Sequence, residues 1–225
     1  MKLAKKTLTI LMVLVLLSGC GREEVPAATT EPTAAPTEAP TVTPTAPITG
    51  NLICVEISRF TGGFVEDGKD RPVRDVAAIL VQNNTGKYLE LAMITYKVGD
   101  RTAQFRVTAL PAGRRAWVME SSAMTLVDGD ELVLEECVDS YNLDAITTTD
   151  DISVSRNGKS LTLTNTSDKR LENVGVYYKN TLEDGTFLGG ITYVISFGNL
   201  EPGASATRTA DHFDETSEIV RYNYQ

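Results

Sequence analysis

The single histidine of the chain is the residue best suited to acid–base chemistry or to metal binding. His212 lies in the run Ala210-Asp211-His212-Phe213-Asp214-Glu215, where neighbouring carboxylates can tune an imidazole for either role. The other interpretation is a solvated residue at the end of a strand. One histidine without a distant partner completes neither a nucleophile triad nor a typical zinc site. We therefore interpret His212 as solvated and predict that the chain is not an enzyme.

Clusters of carboxylates are the second feature that could support chemistry, as ligands of a metal ion. The runs Asp67-Gly68-Lys69-Asp70 and Asp128-Gly129-Asp130-Glu131 are rich in oxygen ligands, and Asp150-Asp151 follows later in the chain. Calcium takes about six to eight oxygens, and none of the runs has the full spacing of a known calcium loop. Aspartate and glycine are also ordinary turn residues. We interpret the runs as turns and predict no metal and no cofactor.

Aromatic side chains are the last candidates, because they stack on glycans and on protein partners. An exposed tyrosine row is one interpretation, since alternate residues of a strand point outward. Core packing with cross-strand tyrosine pairs is the interpretation that we favour, and we expect Trp117 in the core as well. The sequence therefore marks no binding residue. The aromatic residues of the second half are Tyr177, Tyr178, Tyr193, Phe197, Tyr222 and Tyr224.

Residues 1–20 have the organisation of an export signal. Three lysines precede an apolar run, Leu8 to Leu17, which is shorter than the ~20 residues of a membrane-spanning helix. The run ends in Leu17-Ser18-Gly19-Cys20, which resembles the lipobox of bacterial lipoproteins. The resemblance implies removal of the signal peptide 1–19 and a diacylglycerol and acyl chain (palmitate) on Cys20. It also implies a location on the extracytoplasmic face of the cell membrane, held by that lipid anchor.

Residues 20–49 have the composition of a linker. Six of the nine prolines of the chain lie between Gly21 and Thr49, among threonines and alanines. The segment has no apolar periodicity, so it buries too little surface to offset its ordering entropy. We predict a disordered, partly extended stalk that ends where the folded region begins.

Charge and length limit the remaining possibilities. The chain has a net charge of −9, and removing residues 1–19, which hold three lysines and no acids, leaves −12. An acidic chain without a basic patch is not expected to bind nucleic acid. The residues after the linker are enough for one large or two small domains.

Two cysteines follow the anchor, Cys54 and Cys137, and both lie in strand-like runs. An exported location permits a disulfide between them. Their spacing does not distinguish a disulfide from two buried free thiols, so both alternatives stay open.

The region after Asn51 contains an internal repeat of short strands separated by turns. We expect Asn-Gly in the run Arg156-Asn157-Gly158-Lys159 to form a hairpin turn between Ile152–Val154 and Leu161–Leu163. In place of this tight turn the first copy has a long loop, Phe60 to Arg74. At a different place in the repeat, around Asn180 to Gly190, the loop of the second copy is longer than that of the first. The aligned pairs are Leu89–Lys97 with Leu171–Lys179, Asn84–Lys87 with the one-residue-longer Asn165–Lys169, Leu110–Gly113 with Leu200–Gly203, and the closing strands Glu131–Leu134 with Glu218–Arg221.

These patterns predict an all-β fold, with two tandem immunoglobulin-like β-sandwiches at 50–145 and 148–225. The second copy resembles the FxLYD family of bacterial surface domains. The resemblance implies a fold and an extracytoplasmic location but no activity. It depends on Leu163-Thr164-Asn165-Thr166-Ser167, Leu171-Glu172-Asn173-Val174, Tyr177-Tyr178, Gly185 and Leu200-Glu201-Pro202-Gly203.

We therefore expect a membrane-anchored lipoprotein that works as a non-catalytic surface interaction module. Its partners would be the membrane, through the anchor, and another envelope protein or a glycan. The alternative is an accessory lipoprotein that binds a solute or glycan, and an enzyme is the least favoured class. A solute binder needs a concave pocket, whereas a contact module needs an exposed apolar patch or an open strand edge.

Overall fold

The computed structural model of the protein describes residues 46–49 and 51–225, and this part of the chain is nearly all β, as predicted. A short strand, β1 (Ala46–Pro47), leads into the first copy. The strands of the first copy are β2 (Leu52–Phe64), β3 (Arg71–Asn83), β4 (Tyr88–Val98), β5 (Arg101–Leu110), β6 (Arg115–Met119) and β7 (Val133–Asn142), with a 3-10 turn at Val65–Asp67. The strands of the second copy are β8 (Ile152–Asn157), β9 (Ser160–Asn165), β10 (Leu171–Thr181), β11 (Phe187–Leu200), β12 (Ser205–Thr209) and β13 (Ser217–Asn223).

The two copies have the same strand order. In the first copy β2, β3 and β6 are neighbours, and β5, β4 and β7 form a separate sheet. The second copy has β8, β9 and β12 together, and β11, β10 and β13 together. The predicted repeat is thus a repeat of six strands in two groups of three, and the predicted hairpin is formed by β8 and β9. The immunoglobulin-like designation and the limits of the two domains stay predictions.

A buried asparagine marks the same position in each copy. Asn83 and Asn165 are both fully buried at the ends of β3 and β9. In each copy the asparagine Nδ2 donates to two carbonyl oxygens at equivalent positions, at 2.7–2.9 Å. The asparagine Oδ1 accepts an N–H from the turn that follows. The backbone oxygens of both asparagines accept from the glycine that ends the Leu-Pro or Leu-Glu-Pro turn. The matching partners are Lys87 and Lys169, Leu110 and Leu200, Thr85 and Ser167, and Gly113 and Gly203.

These contacts correct the alignment of the turn after the asparagine. The sequence placed Asn84 opposite Asn165 and made the second turn one residue longer. The structure places Asn83 opposite Asn165, so residues 83–87 and 165–169 are turns of equal length. Two asparagines are adjacent in the first copy, and only the side chain of Asn83 points inward, whereas Asn84 is exposed.

The closing strand of the first copy is also longer than predicted. The expected strand was Glu131–Leu134, but β7 begins at Val133 and continues to Asn142 along β4. The predicted linker in turn ends earlier than expected. Pro47 pairs with Ile53 on β2, and Ile48 is buried in the core of the first copy, because an apolar side chain at this point gains from burial.

The two copies are joined into one compact unit by a shared sheet. Strand β6 of the first copy pairs in parallel with β11 of the second, with Phe187 opposite Ala116 and Leu188 opposite Trp117. The result is a seven-stranded sheet in the order β1-β2-β3-β6-β11-β10-β13. The join includes the core, because Phe187 is fully buried within the hydrophobic cluster of the first copy.

Two adjacent glycines allow β11 to approach the first copy closely. A Cβ on Gly190 would lie 1.9 Å from the carbonyl oxygen of Arg106 on β5. A Cβ on Gly189, whose φ is +89°, would lie 2.4 Å from Cγ2 of Val65. Real Cβ atoms do not approach other atoms this closely, so only glycine fits where the backbones meet.

The steric requirement at Gly190 gives a stability prediction. We expect Gly190→Ala to force β11 away from β5 and to lower the free energy of unfolding by about 3 kcal/mol or more, because overpacking against a backbone atom cannot relax by side-chain rotation. Urea denaturation of the full chain measures the change.

Gly86→Ala is the matched control, because nothing lies within 4 Å of a Cβ at Gly86. We expect its free energy of unfolding to change little. Equal stability of the two variants would show that the Gly190 contact is not required.

Candidate functional site

The first component of the site is the outer face of the sheet formed by β5, β4 and β7. Residues of β4 alternate between the core and this face, since successive side chains of a strand point to opposite sides. Ile94 is fully buried, whereas Met93 lies on the outer face between Arg106 on β5 and Val138 on β7. The next outer row contains Thr95 with Glu136 beside it on β7. The face is therefore a flat surface with an apolar row beside charged residues.

Strand β7 carries the most exposed apolar side chains of this face. Val133 is 56% exposed and Val138 is 60% exposed. Within the described residues β7 pairs only with β4, so its other side is an open edge. Glu135 occupies a bulge in the β4–β7 pairing, and Glu136 is also exposed. Valines and carboxylates therefore occur together along an open strand edge.

The second component is a groove between the outer face and the second copy. Its volume is about 440 Å³, and both copies line it. Arg221 on β13 donates to both carboxylate oxygens of Glu90 at 2.9 and 2.6 Å, and its guanidinium lies 4.0 Å from the ring centroid of Tyr177. Arg106 also lines the groove, is exposed, and makes no ion pair with the described residues.

Buried polar atoms beside the groove have unused hydrogen-bonding capacity. Among the described residues, the Nε of Arg221 and the hydroxyl of Tyr88 are buried without a hydrogen-bond partner. The Arg221 guanidinium lies 5.9 Å from the Tyr88 ring centroid. Burial raises the pKa of the Tyr88 hydroxyl, so this group remains a neutral donor.

The wall of the groove is held by two buried charged residues. Strand β11 bulges at Gly189–Ile191, so these backbone groups do not pair with β10. The ammonium of Lys179 donates to the carbonyl oxygens of Gly189, Gly190 and Ile191 at 3.4, 3.0 and 2.5 Å. The carboxylate of Glu66 accepts the N–H groups of Gly190 and Ile191 at 2.7 and 3.2 Å and that of Met119 at 3.0 Å. Ile191 then lines the groove.

Burial shifts the pKa of both charged residues. It lowers the pKa of Lys179 to about 7, although the nearby Glu66 carboxylate opposes this effect. It raises the pKa of Glu66 above its usual value, against the N–H bonds from Gly190 and Met119. Lys179 is only 1% exposed, so a substrate does not reach its amine and its role is structural.

The histidine has a partner that the sequence did not indicate. His212 Nδ1 lies 3.0 Å from Oδ2 of Asp70, in the turn between β2 and β3. Its ring also stacks on Tyr193, with centroids 4.7 Å apart. The expectation of a solvated residue without a distant partner is therefore corrected to a half-buried contact between the copies. The long loop predicted at Phe60 to Arg74 is wrong, because β2 and β3 stay paired as far as Phe64 and Arg71.

The cysteines and the aromatic residues that the sequence singled out are the next group of predicted residues. The cysteines Cys54 and Cys137 are both free thiols, which is one of the two alternatives left open by the sequence. Burial raises the pKa of Cys54 and raises that of Cys137 to about 11, so neither is a reactive thiolate at neutral pH. Trp117 is buried, as predicted, and Tyr178 and Phe197 are core residues.

The acidic runs act as turns in the described part of the chain. Asp67 accepts an N–H from Lys69 and pairs with Arg71 at 2.9 Å, and Asp130 pairs with Arg101 at 2.6 Å. Asp128 pairs with an arginine in the same way. Residues 46–49 and 51–225 contain no group of three or more acidic, histidine or cysteine side chains placed to hold a metal.

The anchor residues Leu17, Ser18, Gly19 and Cys20 lie outside the described residues, as does most of the predicted linker. No helix in the described part of the chain is long and apolar enough to cross a membrane.

Comparison of the chain with protein-family models and with curated proteins finds no match. The function is therefore inferred from the residues and geometry described above.

Sequence patterns did not mark Glu66, Lys179, Arg221 or the groove, because each depends on contacts between the copies. Glu66 and Gly190 are 124 residues apart, and Glu90 and Arg221 are 131 residues apart. One signal was present in the sequence. The second copy has adjacent glycines, Gly189-Gly190, where a strand needs none, and such glycines indicate a close backbone approach.

The pKa of Lys179 gives a prediction of pH dependence. In the unfolded chain the pKa of this lysine is its ordinary 10.5, and burial in the folded chain lowers the pKa to about 7. Between these values the unfolded state binds more protons, so the free energy of unfolding rises as the pH rises from about 7 to 10.5. One proton contributes at most about 1.4 kcal/mol per pH unit. We expect urea denaturation from pH 7.5 to 9.5 to show this slope and Lys179→Met to remove it.

Lys87→Met is the control, because Lys87 is an exposed lysine and its loss should leave the slope unchanged. A direct measurement does not depend on the variant folding. The 13Cε chemical shift of Lys179 should titrate near pH 7 in the unaltered chain, and a midpoint near 10.5 would contradict the buried environment.

Proposed function

We propose that the chain is an extracytoplasmic lipoprotein, anchored in the cell membrane by lipid on Cys20, that works as a non-catalytic contact module. The observation that carries this proposal is the open strand β7, on which the exposed Val133 and Val138 flank the exposed Glu136. Exposed apolar groups rimmed by polar residues on an open strand edge are typical of protein contact sites. The anchor itself is supported by the sequence of residues 1–20.

The finer description of the fold is part of the same proposal. We propose that each copy is an immunoglobulin-like sandwich and that the second resembles the FxLYD domains. The matching order of six strands in each copy supports the first statement. The buried Asn165 and the turn at 200–203, which belong to the resemblance, hold the second copy together.

The groove supports a second candidate function, the binding of a glycan or small solute. Glu90, Arg106 and Arg221 offer charged groups, and Thr108 and Thr192 offer hydroxyls that share a 2.8 Å hydrogen bond. Tyr177 presents an aromatic ring, although the Arg221 guanidinium already covers one face of it. The groove is partly open to solvent, whereas sites for small solutes bury most of the ligand, so the contact function is the better supported of the two.

The anchor is tested by replacing the lipidated cysteine. We expect Cys20→Ala to move the protein from the membrane fraction to the soluble fraction and to abolish labelling by a palmitate analogue, because the acyl chains are attached through this residue. Cys137→Ala is the control and should remain membrane-bound and labelled. Retention of Cys20→Ala in the membrane would contradict the anchor.

The contact surface is tested by photo-crosslinking in intact envelopes. A benzoylphenylalanine at position 138 should form adducts with a partner protein, because Val138 lies on the proposed surface. Position 194 is the matched control, since Val194 is a similarly exposed strand valine, at 54%, in the second copy. Absence of an adduct at 138, or equal adducts at both positions, would contradict the proposed surface.

A further inference from the structure

Strand β7 is a long open strand edge in the described part of the chain. It has ten residues, whereas the edge strands β8, β12 and β13 have six, five and seven. Strand β2 also has a long open side, because β1 pairs with only two of its thirteen residues, but β7 carries the exposed Val133 and Val138. The other edge of the same sheet, β5, is covered, because Thr108 donates to Gly190 and Phe105 forms a bridge with Glu120. Among the described residues no strand pairs with the outer edge of β7, and the N-terminal segment contacts this strand through a side-chain hydrogen bond from Thr49 to Asp139. Backbone groups along this edge can therefore pair with another strand.

The side chains of β7 on the outer face alternate in chemistry. Val133, Glu136 and Val138 all lie on this face, opposite Lys97, Thr95 and Met93 of β4. Glu136 is exposed and makes no hydrogen bond or ion pair with the described residues. A strand added beside β7 would place its own side chains next to these valines and this carboxylate. The best-matched neighbours are β-branched residues and a lysine or arginine.

Charge argues against two other occupants of this edge. A second copy of the chain, paired antiparallel about residues 135 and 136 of β7, would bring the carboxylates of both copies together. Like charges across strands are destabilising, and of these two carboxylates only Glu135 has an ion-pair partner among the described residues, Lys97. The linker of the same chain is also acidic, because residues 21–45 contain one arginine and four glutamates. A basic extended segment is the occupant that complements the edge.

We propose that the β7 edge binds an extended protein segment, by addition of that segment as a further strand, in which every second residue lies on the outer face and these residues are in turn apolar, basic (lysine or arginine) and apolar. This inference rests on the proposed contact function and names the partner class and the mode of binding. Main-chain hydrogen bonds supply affinity in such complexes, and the alternate side chains supply specificity.

The experiment uses the full chain in detergent micelles and a ten-residue peptide whose odd positions are in turn valine and lysine and whose even positions are threonine, so that valines and lysines share one face of the added strand. We expect the peptide to bind and to slow amide hydrogen exchange at alternate residues of β7 at least tenfold, with no change in β12. A peptide with glutamate in place of each lysine should not bind. Binding without protection of β7, or equal binding of the acidic peptide, would overturn the proposal.

Variants of the protein test whether the Glu136 carboxylate contributes to binding of the basic peptide. We expect Glu136→Lys to weaken binding of the basic peptide at least fivefold. Glu183→Lys is the matched control, because Glu183 is an exposed loop residue without contacts to the described residues, and it should bind as the unaltered chain does. Glu136→Gln tests the same charge with a smaller change and should weaken binding less. Unchanged binding by both Glu136 variants would overturn the role of this carboxylate.

Two further experiments test whether the β7 edge is occupied by the chain's own linker or by a second copy of the chain. Deletion of residues 21–45 should leave peptide affinity unchanged, and a rise in affinity would assign the edge to the chain's own linker. Sedimentation should show no self-association through β7, and a dimer lost on Val138→Lys would assign the edge to a second copy. If crosslinking at position 138 captures a partner while the peptide fails to bind, the contact function stands and strand addition is wrong.

Discussion

The backbone N–H and C=O groups of Gly189–Ile191 need hydrogen-bond partners other than the neighbouring strand β10. The rest of the structure depends on which groups provide them. At the bulge in β11 the residues 189–192 lie opposite Lys179 alone, between the pairs Tyr178–Tyr193 and Asn180–Leu188. The Lys179 ammonium takes the carbonyl oxygens and the Glu66 carboxylate takes the N–H groups. Unsatisfied buried backbone groups are costly, so both side chains are kept at this position in spite of the desolvation that shifts their pKa values.

This bulge determines which surfaces are covered and which stay open. It presses β11 against β5, where only Gly190 fits, while the start of β11 pairs with β6 at Phe187 and Leu188. The second copy therefore extends the sheet that contains β2, β3 and β6 and covers the β5 side of the other sheet. Strand β7 lies at the far edge of that other sheet and is left free. The open edge and the groove are both consequences of one joint.

Local patterns in the sequence predicted the strands, the repeat and the turns, because these depend on residues near each other in the chain. The hairpin at Asn157-Gly158 and the turn at Leu110–Gly113 are examples. The joint between the copies was not predicted, since Glu66 carries no periodic or motif signal and its acceptor role depends on N–H groups 124 residues away. His212 and Asp70, 142 residues apart, are a second example of a contact that only the folded chain brings together. A one-residue error at Asn84 shows the limit of local patterns, because burial and not residue type selects Asn83.

The carboxylates of β7 have two physical effects at once. An open strand with valines at 56% and 60% exposure is a template for pairing between identical chains. For chains anchored as proposed, confinement to a surface raises their effective concentration and makes such pairing more favourable. Glu136, and Glu135 where Lys97 does not neutralise it, oppose such pairing in a register that brings the same charges together. The same charges favour a segment of opposite sign, so in the proposed complex they would disfavour identical chains and favour basic partners.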